Sequence, residues 1–316
     1  MRILENSNFQ FTASRRKGYV ISGILILASV VSLFLHGLEV GIDFRGGREF
    51  VIDSTQQLDV TAVRSTLTDA LGAEPEVKSY GEDMLLVRAV GDEDVTVVQN
   101  TIVSAIERDF PGSGPTVEGT YAVSPRFADD LKRGAIYSIL GSLLVIFVYI
   151  LLRFEWRFGV GAVAALFHDV TITLGIFSIF HGFVPFSLQI DQTIIAAFLT
   201  IVGYSLNDTV VVFDRVRENL RKYTKRPLNE VLNISINETL SRTLMTSVTT
   251  LLALISLYVL GGDVIRGFVF AMIWGVIVGT YSSVFVASTI LLWLGVKRNW
   301  DKPDANAGNQ YANIDA

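Results

Sequence analysis

Cysteine is absent from the 316 residues, so no disulfide braces any part of the chain, and thiol chemistry and cysteine-ligated metals are excluded. Charge is also scarce. Asp, Glu, Lys and Arg make up 18% of the chain against 50% hydrophobic residues, and mean hydropathy is +0.45. That is too apolar for a soluble domain of this size, so the chain belongs in a membrane with the lipid bilayer as its surroundings. The formal net charge of −5 says little, because in a membrane protein the placement of Lys and Arg matters more than their sum. No cofactor, metal or nucleic-acid partner is expected.

Apolar runs long enough to cross a hydrocarbon core of about 30 Å occupy residues 18–38, 134–152, 158–181, 190–213, 242–260 and 267–295. Six crossings place the terminal segments 1–17 and 296–316 on one side. Arg15, Arg16 and Lys17 precede the first run, and Arg153 and Arg157 separate the second from the third. Segment 214–238 after the fourth carries Arg215, Arg217, Arg221, Lys222, Lys225 and Arg226, and Lys297 and Arg298 follow the sixth. All fall on the same side, which the positive-inside rule makes cytoplasmic. The loop HGFVPFSLQID has no Lys or Arg, and GGDVIRG has only Arg266. The first run reads as an uncleaved anchor, because it is long and HGLEVGID lacks a small-residue cleavage site. The tail from Asp301 is polar and is expected to be disordered.

Segment 39–133 is polar, extracytoplasmic and large enough for a core of its own. REFVID (48–53) alternates like a strand; Val60, Val63, Leu67 and Leu71 fall on one face of a helix. Residues 76–80 and 84–90 read as strands joined through Gly81-Glu82-Asp83. Val95, Val98, Ile102 and Ile106 mark a second helix, stopped by Pro111-Gly112, and 116–123 reads as a last strand. The order βαββαβ predicts a ferredoxin-like α+β domain beside a multi-pass α-helical bundle. The domain contains no His and no catalytic constellation.

Polar residues inside the spans fall on faces. Thr200, Gly203, Tyr204, Asn207 and Asp208 recur at steps of three and four along the fourth span, and Thr239, Arg242, Thr243, Thr246 and Thr250 along the fifth. A carboxylate inside a span costs roughly 2.5 to 3.5 kcal/mol at the helix centre, so Asp208 is expected to face inward and find a partner. Arg242 matches it in depth, and a direct or water-bridged pair is feasible. His168 and Asp169 lie near the middle of the third span, where an imidazole suits proton relay. The alternatives are a static Asp208–Arg242 pair, a His168 simply satisfied by neighbours, and Ser and Thr hydroxyls bonded to their own helix. Ala271, Gly275, Gly279, Ser283 and Ala287 form a small-residue ridge on the sixth span, within this chain or against a second subunit. An intramembrane aspartyl protease built on Asp169 and Asp208 is disfavoured, since no GxGD motif precedes Asp208 and Arg242 would oppose a shared proton. An exporter of small molecules or lipids, or a passive scaffold, would use the same spans.

GIDFRGG (41–47), GYSLNDTVVVFDRVREN (203–219) and ETLSRTLMTSVTTLLAL (238–254), in that order, resemble the SecD/SecF family of bacterial protein-export membrane proteins, of the resistance-nodulation-division superfamily. The resemblance implies a non-enzymatic subunit that pairs with SecD and assists the SecYEG channel and the SecA motor, with YajC as a further partner. It implies that proton flow drives motion of periplasmic domains on an emerging preprotein. Carried onto this chain, the proton-linked positions are Asp208 and Arg242; Asn207, Thr246, His168 and Asp169 are candidates for the same role by their place on the polar faces and their depth in the spans. Gly41, Asp43, Gly46, Gly47, Gly203, Asp214 and Arg215 are motif positions with structural roles, and Gly275, Gly279 and Ser283 serve helix packing.

Overall fold

The computed structural model describes residues 7–80, 83–91, 93–184 and 186–296. The tail from Asp301, the basic pair Lys297 and Arg298, and Gly81-Glu82 of the expected turn lie outside the described residues. Among the described residues six helices are long and apolar enough to cross a membrane: α1 (Arg15–Leu35), α5 (Pro125–Arg153), α6 (Trp156–Phe180), α7 (Gln192–Lys222), α8 (Leu228–Leu260), and a last helix that begins as α9 (Asp263–Ser282). That last helix passes through a π-helical turn (Ser283–Ala287) into α10 (Ser288–Leu294).

Several boundaries differ from the apolar runs. α1 stops at Leu35 instead of residue 38, with Gly37 at φ +72° just beyond. α5 starts nine residues earlier than the apolar run, at Pro125, because the Ser124 hydroxyl accepts from Phe127 N–H and proline suits the first helical turn. The basic segment 214–238 is no separate unit. α7 runs through it to Lys222 and α8 begins at Leu228, so at 1.5 Å per residue both helices extend well beyond a hydrocarbon core. Asn233 and Asn237 on that extension of α8 hold the N-terminal segment: Asn237 accepts from Phe9 N–H and donates to Phe9 carbonyl, and Asn233 accepts from Thr12 N–H, all at 2.9 Å.

The segment between α1 and α5 contains β1 (Gly47–Asp53), α3 (Val60–Leu71), β2 (Glu76–Ser79), β3 (Met84–Val90), α4 (Val95–Asp109) and β4 (Thr116–Val123), preceded by the one-turn α2 (Ile42–Arg45). The expected order of elements is present. The sheet is antiparallel with spatial order β2-β3-β1-β4. Phe50, Ile52, Val77, Leu85 and Val87 point to one face, where Val63, Leu67, Ile102 and Ile106 of α3 and α4 bury them. Asp59 and Asp94 cap those two helices through Ala62 and Thr96 N–H. On the other face, Glu76, Lys78 and Leu86 are also buried, because that side of β2 and β3 lies on the end of the bundle.

Helix packing within the bundle resolves the small-residue ridge. Side-chain atoms of Ile201 on α7 occupy the space a Cβ on Gly275 would need, and Ser205 leaves room for only a tight contact at Gly279. The ridge is therefore buried inside this chain, between α9 and α7. α1 is inside out in pattern: its buried residues are Gly18, Ser22, Ser29 and Ser32, while its aliphatic side chains face outward. Ser29 fills the space beside Gly175 of α6, and Ser32 hydrogen-bonds Ser178 at 2.8 Å. Small residues allow the backbones to approach, and the aliphatic surplus is left for lipid.

Candidate functional site

The register between α7 and α8 is fixed by two polar contacts. Tyr204 OH donates to Thr250 Oγ1 at 3.5 Å, and Asn219 Nδ2 donates to Ser235 Oγ at 3.1 Å. Asp208 therefore lies level with Thr246, and Arg242 sits one turn, about 6 Å, further from the sheet domain. Asp208 is 3% exposed and its Oδ2 is buried with no hydrogen-bond partner. Thr243 Oγ1 is the other such side-chain oxygen among the described residues of the six spans. Among those residues no hydrogen bond or ion pair joins Asp208 to Arg242, although the guanidinium is near enough for its charge to act on the carboxyl. The direct pair is not formed here: Asp208 points inward while Arg242 is exposed, and the register sets the two one turn apart.

The polar stripes also split. On α7, Asp208, Ser205 and Thr209 point inward, whereas Thr200, Gly203 and Asn207 are exposed. A step of 100° per residue separates Asn207 from Asp208. On α8, Thr239, Thr243 and Ser247 point inward and Arg242 and Thr249 outward. Thr246 gives its hydroxyl hydrogen to carbonyls of its own helix, Arg242 and Thr243, as do Thr200 and Thr249. The single proton-linked face expected around Asp208 and Arg242 is thus two faces, one buried and one open.

A second polar centre lies deeper in the bundle. His168 and Asp169 on α6 are 4% and 1% exposed, with His168 Nδ1 2.9 Å from Asp169 Oδ1. Ser205 of α7 and Ser282 of α9 donate to Asp169 Oδ2 at 2.5 and 2.7 Å. His168 Nε2 lies 3.0 Å from Ser22 Oγ of α1, which is 3.1 Å from Tyr281 OH of α9. Thr171 and Ser178 are not its partners; Ser178 bonds Ser32.

GIDFRGG proves to be the seam between sheet domain and bundle. Gly41 N–H donates to Ile190 carbonyl at 3.0 Å, and Ile190 N–H donates to Glu39 carbonyl at 2.7 Å. Asp43 Oδ2 accepts from Gln192 N–H at 3.0 Å, and Asp191 Oδ1 accepts from Ile194 N–H at 2.8 Å. Two carboxylates thus cap the start of α7, where the helix dipole favours negative charge. Gly46 has φ +80°, and Gly47 is so close to Ala89 carbonyl and Ile42 that no side chain fits. Arg45 makes only a half-exposed pair with Glu39 at 3.5 Å.

Above this seam Glu76, Arg88 and Glu49 face one another across β2, β3 and β1 in a single row. Arg88 reaches Glu49 at 2.6 Å, Glu76 at 3.2 Å and Asp191 at 3.5 Å, and Lys78 reaches Glu76 at 2.7 Å. Burial alone would raise the Glu76 carboxyl, but Lys78 and Arg88 override it and hold the group below the ordinary carboxylate range. Burial likewise opposes the charge on Arg88, and Glu76, Glu49 and Asp191 outweigh it, raising the guanidinium above its usual value. At the opposite end, Asp214 pairs with Arg153 at 2.9 Å, tying α7 to α5, and Arg215 reaches Glu238 at 3.7 Å, tying α7 to α8.

Sequence reasoning missed the Arg88 row and the hydroxyls Ser22, Ser205, Ser282 and Tyr281. Charges alternating along strands look like a solvated face, and nothing local shows that a bundle covers it. For Ser22 a signal existed: Ser22, Ser29 and Ser32 lie on one face of α1, as helix partners would.

Among the described residues, six apolar helices with ionisable groups buried between them, and a small α+β domain across one end, define a multi-pass membrane protein. The family described as "Protein export membrane protein SecD/SecF, C-terminal" matches residues 110–297. The protein translocase subunit SecF of Rhodothermus marinus is 61% identical over 93% of this chain and 96% of its own length. That of Cereibacter sphaeroides is 46% identical over 99% and 97%. The crystal structure of SecDF from Thermus thermophilus superposes with a TM-score of 0.78 at 33% identity, over 93% of this chain and 39% of that longer one. The chain belongs to the SecD/SecF family of protein-export membrane proteins, and its full-length relatives are SecF subunits.

Proposed function

We propose that this chain promotes preprotein translocation across the bacterial cytoplasmic membrane as the SecF half of a SecD–SecF pair, and that proton binding at Asp208 drives it. The carrying observation is the orphaned Asp208 Oδ2 with Arg242 one turn away on the neighbouring helix. A buried carboxylate oxygen without a partner is expensive to leave in place, and such groups persist where they bind something transiently. Protonation removes the charge and its attraction to Arg242, so α7 and α8 relax their hold on each other.

SecD fits the open faces. Thr200, Gly203, Asn207 and Arg242 are exposed at membrane depth, where a lone arginine facing lipid costs several kcal/mol. A second helical bundle over α7 and α8 would cover them, and the Thermus thermophilus relative carries both halves in one chain. Both termini lie on the cytoplasmic side and the ferredoxin-like domain in the periplasm, in keeping with the basic residues clustered at the end of the bundle away from the sheet. Movement of α7 reaches that domain directly, because Asp43, Asp191 and Arg88 tie the start of α7 to it. SecYEG, SecA and YajC complete the assembly by family relationship, and the domain acts on emerging preprotein without catalysis.

Asp208→Asn should leave co-purification with SecD intact and abolish the dependence of preprotein import into inverted vesicles on a proton gradient. Proton-stimulated import at the wild-type level in this variant would refute the mechanism.

A further inference from the structure

Hydrogens around His168 can be counted from heavy-atom positions. Tyr281 OH lies 2.7 Å from the Gly18 carbonyl, which can only accept, so the phenol gives its single hydrogen there. At the 3.1 Å contact with Ser22 the phenol oxygen must then accept, which uses the one hydrogen of Ser22. Ser22 in turn can only accept at its 3.0 Å contact with His168, so Nε2 carries a hydrogen. One hydrogen is still needed between His168 Nδ1 and Asp169 Oδ1, 2.9 Å apart. It sits either on the ring, giving imidazolium beside carboxylate, or on the carboxyl, giving neutral imidazole beside a carboxylic acid.

Both arrangements hold the same number of protons: one more than a neutral histidine beside an ionised aspartate. We propose that His168 and Asp169 form a proton-binding site distinct from Asp208, occupied by one proton in this conformation. Its use in export rests on the proton-coupled reading above; its existence does not.

The surroundings favour the occupied state. Without the proton the pair carries one net negative charge among groups that are almost wholly buried, and among the described residues no Lys or Arg pairs with Asp169. α1 presents Ser22 to the pair, α7 presents Ser205, with Asp208 three residues further along, and α9 presents Ser282 and Tyr281, which among the described residues is the only titratable group that contacts the network from another helix. Emptying the site also leaves one link between His168, Ser22 and Tyr281 without a hydrogen. Where the proton sits on the carboxyl, its loss also makes the bonds from Ser205 and Ser282 fully charge-assisted; where it sits on the ring, those bonds are charge-assisted already. Proton loss therefore loosens the chain of bonds that runs from α6 through α1 to α9. The π-helical turn beginning at Ser283, next to Ser282, gives that helix a local irregularity of the kind that often marks functional sites.

Nitrogen NMR on the full chain in lipid vesicles, with labelled histidine and with His36→Gln and His181→Gln to remove the other two signals, reads the site directly. At neutral pH the result expected is either imidazolium, or Nε2–H imidazole accompanied by an infrared carboxylic-acid band that Asp169→Asn removes. Neutral imidazole beside an ionised Asp169 would overturn the proposal. Tyr281→Phe tests the count itself, because Ser22 then becomes free to donate to His168 Nε2 and the extra proton is no longer required. Proton affinity of the pair should fall about tenfold, the equivalent of one hydrogen bond, though no bond to either residue is removed. An affinity unchanged within about twofold would also overturn it, and if Tyr281→Phe does not fold the wild-type spectrum still decides. The spectrum is independent of Asp208→Asn and of export, so failure of either reading is told apart from failure of the other.

Discussion

Arg88→Met tests whether the sheet domain is fastened to α7 by charge. Arg88 is the common partner of Glu49, Glu76 and Asp191, on three different elements, and its side chain is 16% exposed. Removing one partner from a buried ionic cluster costs about 3 to 5 kcal/mol. Here the lower end applies, because Lys78 still serves Glu76, Ile194 N–H still serves Asp191, and Glu49 can turn toward water. A loss near 3 kcal/mol corresponds to roughly a hundredfold in a local opening equilibrium. Hydrogen exchange of the seam amides of Gly41, Ile190 and Gln192, whose bonds cross between bundle and domain, should accelerate by about that factor. Amides of the β1–β3 ladder should change far less, since the core formed by Phe50, Ile52 and Ile102 is untouched. Wild-type exchange at the seam in a folded Arg88→Met protein would refute the reasoning.

Acid should loosen the same seam. The Glu76 carboxyl is held below its unfolded value of 4.5, so its contribution is complete above that pH and is lost as pH falls through the lower folded value. Seam exchange should rise in acid in the wild type and lose most of that dependence in Glu76→Gln; equal acid sensitivity in both would exclude Glu76 as the cause. Gly275→Val places a branched side chain where Ile201 already sits and should lower stability by about 1 to 3 kcal/mol, read as a lower thermal midpoint. Gly203→Val has open space around it in the isolated chain. It should fold as well as the wild type yet co-purify poorly with SecD, and undiminished co-purification would remove α7 from that interface.

Six spans were readable because length and hydropathy alone decide whether a helix can cross lipid. The order of the sheet domain was readable because β1, α3, β2, β3, α4 and β4 each bury one face, which leaves a period of two or of 3.6 in the chain. Asp208 stood out for a similar reason: a charge inside an apolar run is a local anomaly. The pairing with Arg242 was not readable, since matched depth along two sequences ignores the rotation and one-turn offset that the α7–α8 register imposes. The ridge of Gly275 and Gly279 was visible as a pattern, but only the neighbouring helix could show that its partner is α7 of the same chain.

The amino-acid sequence by itself thus determined the spans, the order of the α+β elements and the presence of costly charges, all properties of local period and transfer energy. Tertiary structure decided which of those charges meet. It brought His168 and Asp169 to Ser22, Ser205 and Ser282 on three other helices, and it laid the row of Glu76, Arg88 and Glu49 against Asp191 at the start of α7. Hydrogen bonds and ion pairs act within a few ångströms and depend on direction, so they are set by which faces touch, and chain order does not encode that locally.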